Sequence, residues 1–207
     1  MAREGSRFTF AQLKRVLDNW EEIATENGGK MELRKRIFTE KGILEQMVNY
    51  KRKYAIHNSL LFFDINIPHE RLKIKISSSE VKTPILSFKY NNSKQFYFSI
   101  RDEDFMDKIS KYFGQNEVEI NDKEFDSSFF LETNKPEFLK EFLDIRIIDW
   151  LKKIKIAYFD YNSPKSKNAL TIYCSINELD KLAIEYTLNM FKYCISKIKS
   201  IELKNES

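Results

Sequence analysis

The chain has little of what most enzyme signatures are made from. Its 207 residues include five Gly, four Pro, two Cys and two His. A phosphate-cradling loop needs several glycines so that backbone N–H groups can approach the anion, and neither GxGxxG nor GxxxxGK[ST] occurs. Zinc needs clustered His, Cys, Asp or Glu at ligand spacing. His57 and His69 stand twelve residues apart, without HxH, HxxxH or CxxC, so neither a metal nor a cofactor is expected. A GxSxG elbow is missing too, and Ser127 or Ser128 can meet a histidine only if the fold brings them together. Cys174 and Cys194 fall in apolar-periodic segments and read as buried thiols. No apolar run is long enough for a membrane span, and the start MAREGSRFTF lacks a signal core; the expected location is the cytoplasm.

Aromatic residues are abundant. Seventeen Phe and ten Tyr, within a 42% hydrophobic composition, supply an aromatic core and exclude a disordered chain. Net charge is +4, from 35 basic and 31 acidic residues, which is a mixed surface. An obligate nucleic-acid binder would be more strongly basic.

The clearest element is an N-terminal helix. Thr9 and Gln12 form a capping box. Phe10, Leu13, Val16, Leu17, Trp20, Ile23 and Ala24 then recur at helical spacing, and Asn27-Gly28-Gly29 stops them. KMELRKRIF alternates imperfectly, and residues 43–57 fit either a long strand or a helix, with strand preferred. SLLFFDINI and RLKIKIS read as strands, the second with Leu72, Ile74 and Ile76 dry and Lys73 and Lys75 wet. PILSFKYNNSKQFYFSI reads as a hairpin turning at NNSK, and a helix capped by Asp102 follows to Gly114. EVEI reads as a short strand before a tight turn. EFDSSFFLET reads as a strand with Phe125, Ser127, Phe129 and Leu131 on one face. Asn134, Pro136 and Glu137 signal a helix start, and that helix breaks near Asp144. KIAYFDYN and ALTIYCSI form a further hairpin. A last helix over about 177–199 buries Leu179, Leu182, Ala183, Tyr186, Met190, Phe191, Cys194, Ile195 and Ile198.

Hairpins with few βαβ units imply an α+β fold. The expected architecture is a mostly antiparallel sheet with an N-terminal helix, middle helices and a long C-terminal helix packed on it. No linker divides the chain, so one domain is expected over residues 8–200, with flexible ends at 1–7 and 201–207.

Candidate functional residues are few. Asp126 stands among Phe125, Phe129 and Phe130, and a buried carboxylate must find a cation or backbone donors. It is a ligand-contacting acid or, more economically, a structural anchor. YKRKYAIH interleaves cations with rings, as suits a nucleic-acid strand with charges on phosphates and rings on bases. Tyr50, Lys51, Arg52, Lys53 and Tyr54, with Arg34 and Arg36, are the candidate contacts, diluted by Glu32, Glu40 and Glu45. A long helix across a curved antiparallel sheet is also how helix-grip folds make an apolar cavity, which the Phe and Tyr would line.

The stretch VEINDKEFDSSFFLETNKPEFLKEFL resembles a segment in a family of uncharacterised bacterial proteins. There a short strand and turn precede a Phe-Asp pair, a second strand and a helix ending in paired Leu. Trp20 to Glu32 also look like the start of such domains. Those relatives often carry transmembrane helices ahead of the domain, which this chain lacks. The resemblance implies a bacterial, non-enzymatic domain and carries no role for Asp126.

The functional expectation is a non-catalytic cytosolic interaction or ligand-sensing module, with a protein partner or a second copy meeting the exposed hairpin SFKYNNSKQFYF. The alternatives are a nucleic-acid-associated protein and a helix-grip-like binder of an apolar small molecule.

Overall fold

Thr9 opens the first helix, α1 (Phe10–Glu26), with both halves of the capping box in place: the Gln12 amide donates to Thr9 Oγ1 at 3.2 Å, and the Thr9 amide donates to Gln12 Oε1 at 2.9 Å. The computed structural model describes residues 7–37, 59–79, 82–89, 96–102, 118–163 and 168–204. Leu13, Val16, Trp20, Ile23 and Ala24 are buried along one stripe of α1. Gly28 ends the helix at a φ of 67°, a region open to glycine without strain. Gly29 then lets the chain press against the sheet, since a Cβ there would lie 2.4 Å from the Asn66 carbonyl oxygen.

The remaining elements are β1 (Lys30–Ile37), β2 (Ser59–His69), β3 (Leu72–Ser79), β4 (Ile85–Lys89), β5 (Phe98–Asp102), α2 (Lys123–Ser128), β6 (Phe129–Thr133), α3 (Pro136–Phe142), α4 (Ile145–Lys153), β7 (Lys155–Tyr161), β8 (Ala169–Ser175) and α5 (Lys181–Lys204). The strands form one antiparallel eight-stranded sheet in the order β1-β2-β3-β4-β8-β7-β5-β6. The fold is α+β, with the long C-terminal helix packed on the sheet side that also carries α1.

Alternation decides the layers. Met31, Ile65, Ile76, Leu86, Ile172, Phe159, Ile100 and Leu131 are cross-strand partners in one continuous row over all eight strands. Their face meets the described helices through rings. Trp20 of α1 lies 6.4 Å from Phe63, Phe142 of α3 stacks on Phe98 at 4.8 Å, Trp150 of α4 stands edge-on to Phe159 at 6.0 Å, and Phe125 of α2 lies 4.6 Å from Phe129. These ring contacts pack the described helices onto the sheet.

Several expectations need correction. The hairpin placed at PILSFKYNNSKQFYFSI does not form: β4 pairs with β8 and β5 with β7 and β6, so the β7–β8 hairpin stands between its two arms. Those arms are interior strands and offer no edge; the edges of the described sheet are β1 and β6. EFDSSFFLET is not one strand. Asp122 caps α2 by accepting the Phe125 amide at 3.0 Å, and the strand starts only at Phe129. Residues 118–120 pair with no strand among the described residues. Asn134 does not cap α3, since its Oδ1 accepts the Tyr97 amide at 2.9 Å and Lys135 takes the cap position. Asp102 ends β5, and the helix expected after it lies outside the described residues.

The last helix is out of phase with its expected face at the N-terminal end. Leu182 and Tyr186 are exposed, while Ile184, Thr187 and Leu188 are buried. It also runs on to Lys204 with Ile201 buried, and Arg7 is anchored at the other end, so ordered structure passes both expected limits. Among the described residues no helix is long and apolar enough to cross a membrane.

Candidate functional site

The sheet has a second face, and the same pairing register builds it. Lys30, Asn66, Lys75, Ser87, Thr171, Asp160, Ser99 and Glu132 are cross-strand partners in a row one residue away from the apolar one. Every position in that row is polar. The next row runs Glu32, Asp64, Ser77, Ile85, Tyr173 and Tyr158. No ring contact from a described helix reaches either row. Asp160, Phe130, Ser79 and Ala169 on this face are nonetheless buried, so its accessible part lies between the exposed Lys73, Lys75 and Lys89 and the half-buried Tyr173 and Tyr158.

A β-bulge interrupts β7 between Ile156 and Tyr158, and the unpaired Ala157 is exposed. Bulges re-aim side chains. Here the slip keeps Ile156 buried opposite Cys174 and turns Tyr158 outward, opposite Tyr173. The two rings lie 5.7 Å apart at 34°, within the range of attractive aromatic pairs. Burial raises the Tyr158 pKa above its ordinary value, and the charge of Asp160 adds to this, so the phenol stays neutral. Beside the bulge lies a cleft of about 180 Å³, lined by Thr83, Asp102, Ile156, Ala157, Tyr173, Cys174 and Ser175. Burial pushes the Cys174 thiol up to about 12, so it is protonated and no nucleophile. Both cysteines are free and buried.

Cations collect at the far end of the same strands. Lys73, Lys75 and Lys89 are exposed on β3 and β4. The β3–β4 register pairs Ile74 with Phe88, and one step beyond it Lys73 faces Lys89. Lys75 lies 3.8 Å from Asp64, whose carboxylate is already taken by the Arg34 guanidinium and by the Ser77 hydroxyl at 2.6 Å. Glu32 is held below its ordinary pKa by the hydrogen bond and charge of Lys30, then by Arg34 and Lys73.

The positions singled out from the sequence are not brought together as one site. Arg34 sits on the outer face, committed to Asp64. Arg36 lies on β1 opposite Leu60. Tyr50, Lys51, Arg52, Lys53 and Tyr54 lie outside the described residues. Asp126 belongs to α2, where its Oδ1 accepts the Ile120 amide at 3.1 Å. The alternation RLKIKIS did place Lys73 and Lys75 on the wet side, but Leu72, expected dry with Ile74 and Ile76, is exposed at the start of β3. What no local pattern could supply is that β8 and β7 lie beside β4 and bring Tyr173 and Tyr158 onto the same surface.

Two other polar clusters serve the fold. Glu178, 2% exposed, accepts from the Trp20 indole at 2.8 Å, the Arg7 guanidinium at 2.8 Å and the Ser78 hydroxyl at 3.1 Å. Arg7 also donates to the Ser79 and Lys82 carbonyls, so this knot ties α1, β3, the approach to β4 and the segment before α5. His69, the one described histidine, faces the helices, edge-on to Phe88 at 5.8 Å. Among the described residues the Ser77–Asp64 contact on the outer face therefore has no imidazole to act as a base. Among the described residues no His, Cys, Asp and Glu cluster is arranged to hold a metal. No family model, curated protein or solved structure matches this chain.

Proposed function

We propose that the protein is a non-catalytic binding module that works through the sheet face opposite its helices. One observation carries the reading. A two-layer fold needs only one buried sheet face, and this one spends the other on half-exposed rings, hydroxyls and exposed lysines around a bulge. Polar outer faces are ordinary in antiparallel sheets. A tyrosine pair beside a cleft, with lysines facing each other across two strands, is not required by folding. Like charges directly opposite are destabilising. Among the described residues the Cys174 thiol is buried and protonated and Asp64 is engaged by Arg34 and Ser77, which supports binding over catalysis.

The test is to label the tyrosines with fluorine and titrate the protein with four ligand classes: single-stranded oligonucleotides, acidic peptides, basic peptides and anionic vesicles. The reading expects one class to shift Tyr158 and Tyr173 while the buried Tyr161 stays fixed. A ligand that shifts Tyr186 and Tyr193 of α5 instead would move the site to the helical layer and overturn it.

A further inference from the structure

Resting on that outer face as the working surface, we propose that its ligand is single-stranded nucleic acid. The inference joins two features that sit on the same four strands. The first is a local concentration of positive charge. Lys73 and Lys89 make no ion pair among the described residues, although they face each other across β3 and β4. With Lys75 one pleat away they form a cationic group at one end of the face. Phosphates would offset the repulsion that the fold tolerates there. The second is the ring pair. Tyr158 and Tyr173 lie on the same face at the other end of β8, offset by the run from Ala169 to Tyr173.

The span between the two features suits a short extended chain. Ala169 and Tyr173 are four residues apart on one strand, about 13 Å at the rise of a β-strand. Sheet faces that read single strands place cations on the backbone and stack about two or three bases on rings. The hydroxyls of Ser87 and Thr171 lie between the lysines and the tyrosines, where base edges and sugars would run. A neutral phenol at Tyr158 suits stacking against a polyanion, since a phenolate would repel it. The nearby acids offset this field only in part: Asp64 is paired with Arg34, Glu32 is shared among Lys30, Arg34 and Lys73, and Asp160 is buried beside Tyr158. An acidic peptide would satisfy the lysines but leave the rings unused. A duplex would bury its bases away from the tyrosines.

The experiment is fluorescence anisotropy with labelled oligothymidylate of about twelve nucleotides, a length within the range of single-strand sites. A duplex of equal length and an equally charged acidic peptide serve as controls. The expected result is preference for the single strand, with log affinity falling against log salt at a slope of about −2, from about three phosphates neutralised. Lys73→Gln with Lys89→Gln should flatten that slope by about 1.4. Tyr173→Ala should weaken binding by about fivefold or more, from one lost base stack. Both lysines are exposed, so their variant keeps the test open if Tyr173→Ala fails to fold. No anisotropy change at about 50 mM salt overturns the proposal. Equal affinity for the acidic peptide, unaffected by Tyr173→Ala, also overturns it but leaves the outer face as the binding surface. Acetylation footprinting separates the two failures: protection of Lys14 and Lys140 on the helices, rather than Lys73, Lys75 and Lys89, would remove both readings.

Discussion

At the scale of single residues, the most heavily hydrogen-bonded buried acid serves the structure. Glu178 is the strongest case. It satisfies an indole, a guanidinium and a hydroxyl from three separate segments, and nothing about it faces a ligand. Removing one member of such a knot leaves the others buried and unpaired, so Glu178→Ala should cost about 3 kcal/mol or more in a urea melt. Asp126 makes a smaller contribution. It tethers the Ile120 amide, and Asp126→Ala should lose about 1 kcal/mol of stability while leaving oligonucleotide affinity unchanged. His69 gives the pH dependence. Its Nε2 is buried without a hydrogen-bond partner among the described residues. Burial lowers its pKa below the ordinary 6.5, Lys192 and Lys199 lower it further, and Glu70 opposes them. The unfolded chain therefore takes up the proton first as pH falls. Stability should drop as pH falls through about 6.5, where the unfolded imidazole titrates, toward the lower folded-state pKa. Urea melts in a His57→Gln background would show the drop, and His69→Gln would abolish it.

At the scale of elements, local rules worked where the signal was local. The α1 cap, the β2–β3 and β7–β8 hairpins and the break at Asp144 all follow from residues within a few positions of one another. Asp144 shows why that break is firm. Its Oδ1 caps α4 by accepting the Arg146 and Ile147 amides, and its Oδ2 takes the Tyr193 hydroxyl and the Lys197 ammonium of α5. Burial pushes its pKa up, but these partners outweigh burial and hold the carboxyl below its ordinary value. Asp144→Ala should then cost about 2 kcal/mol, more than a simple cap, and most of the loss should vanish below the carboxylate range, where the acid is protonated in both states. Local rules failed where distant partners decide. EFDSSFFLET has strand periodicity, yet Asp122 caps its first half into a helix. The Ser127 and Ser128 hydroxyls, read as strand positions, turn back to the Glu124 carbonyl. Asn134 carries a helix-cap signal, yet the Tyr97 amide across the sheet captures it. The candidate site suffered the same way: its lysines on β3 were legible as wet positions, but their tyrosine partners come from strands more than sixty residues away.

At the scale of the molecule, the placement of the β7–β8 hairpin decides what can fold alone. Glycine at 114 and polar residues beside it suggest a seam in the sequence, and a cut there would give fragments of similar size. The sheet order forbids such independence. The first fragment would hold α1 and β1 to β5 but lose β8, the partner of β4, and β7 and β6, the partners of β5. Leu86 and Phe88 on β4 would keep neighbours on one side only, and Trp20 would lose the Glu178 acceptor. Losing α5 also uncovers the apolar row of the sheet, at about 2 kcal/mol for each large side chain returned to water. Few domains have that much stability in reserve. Residues 1–115 and 116–207 expressed separately should each unfold without a cooperative transition by circular dichroism. Mixed, they should recover one, because the β4–β8 and β5–β7 pairings restore the interior strands. A sharp melt from the first fragment alone would mean that β4 tolerates an open edge and that the sheet is two units rather than one.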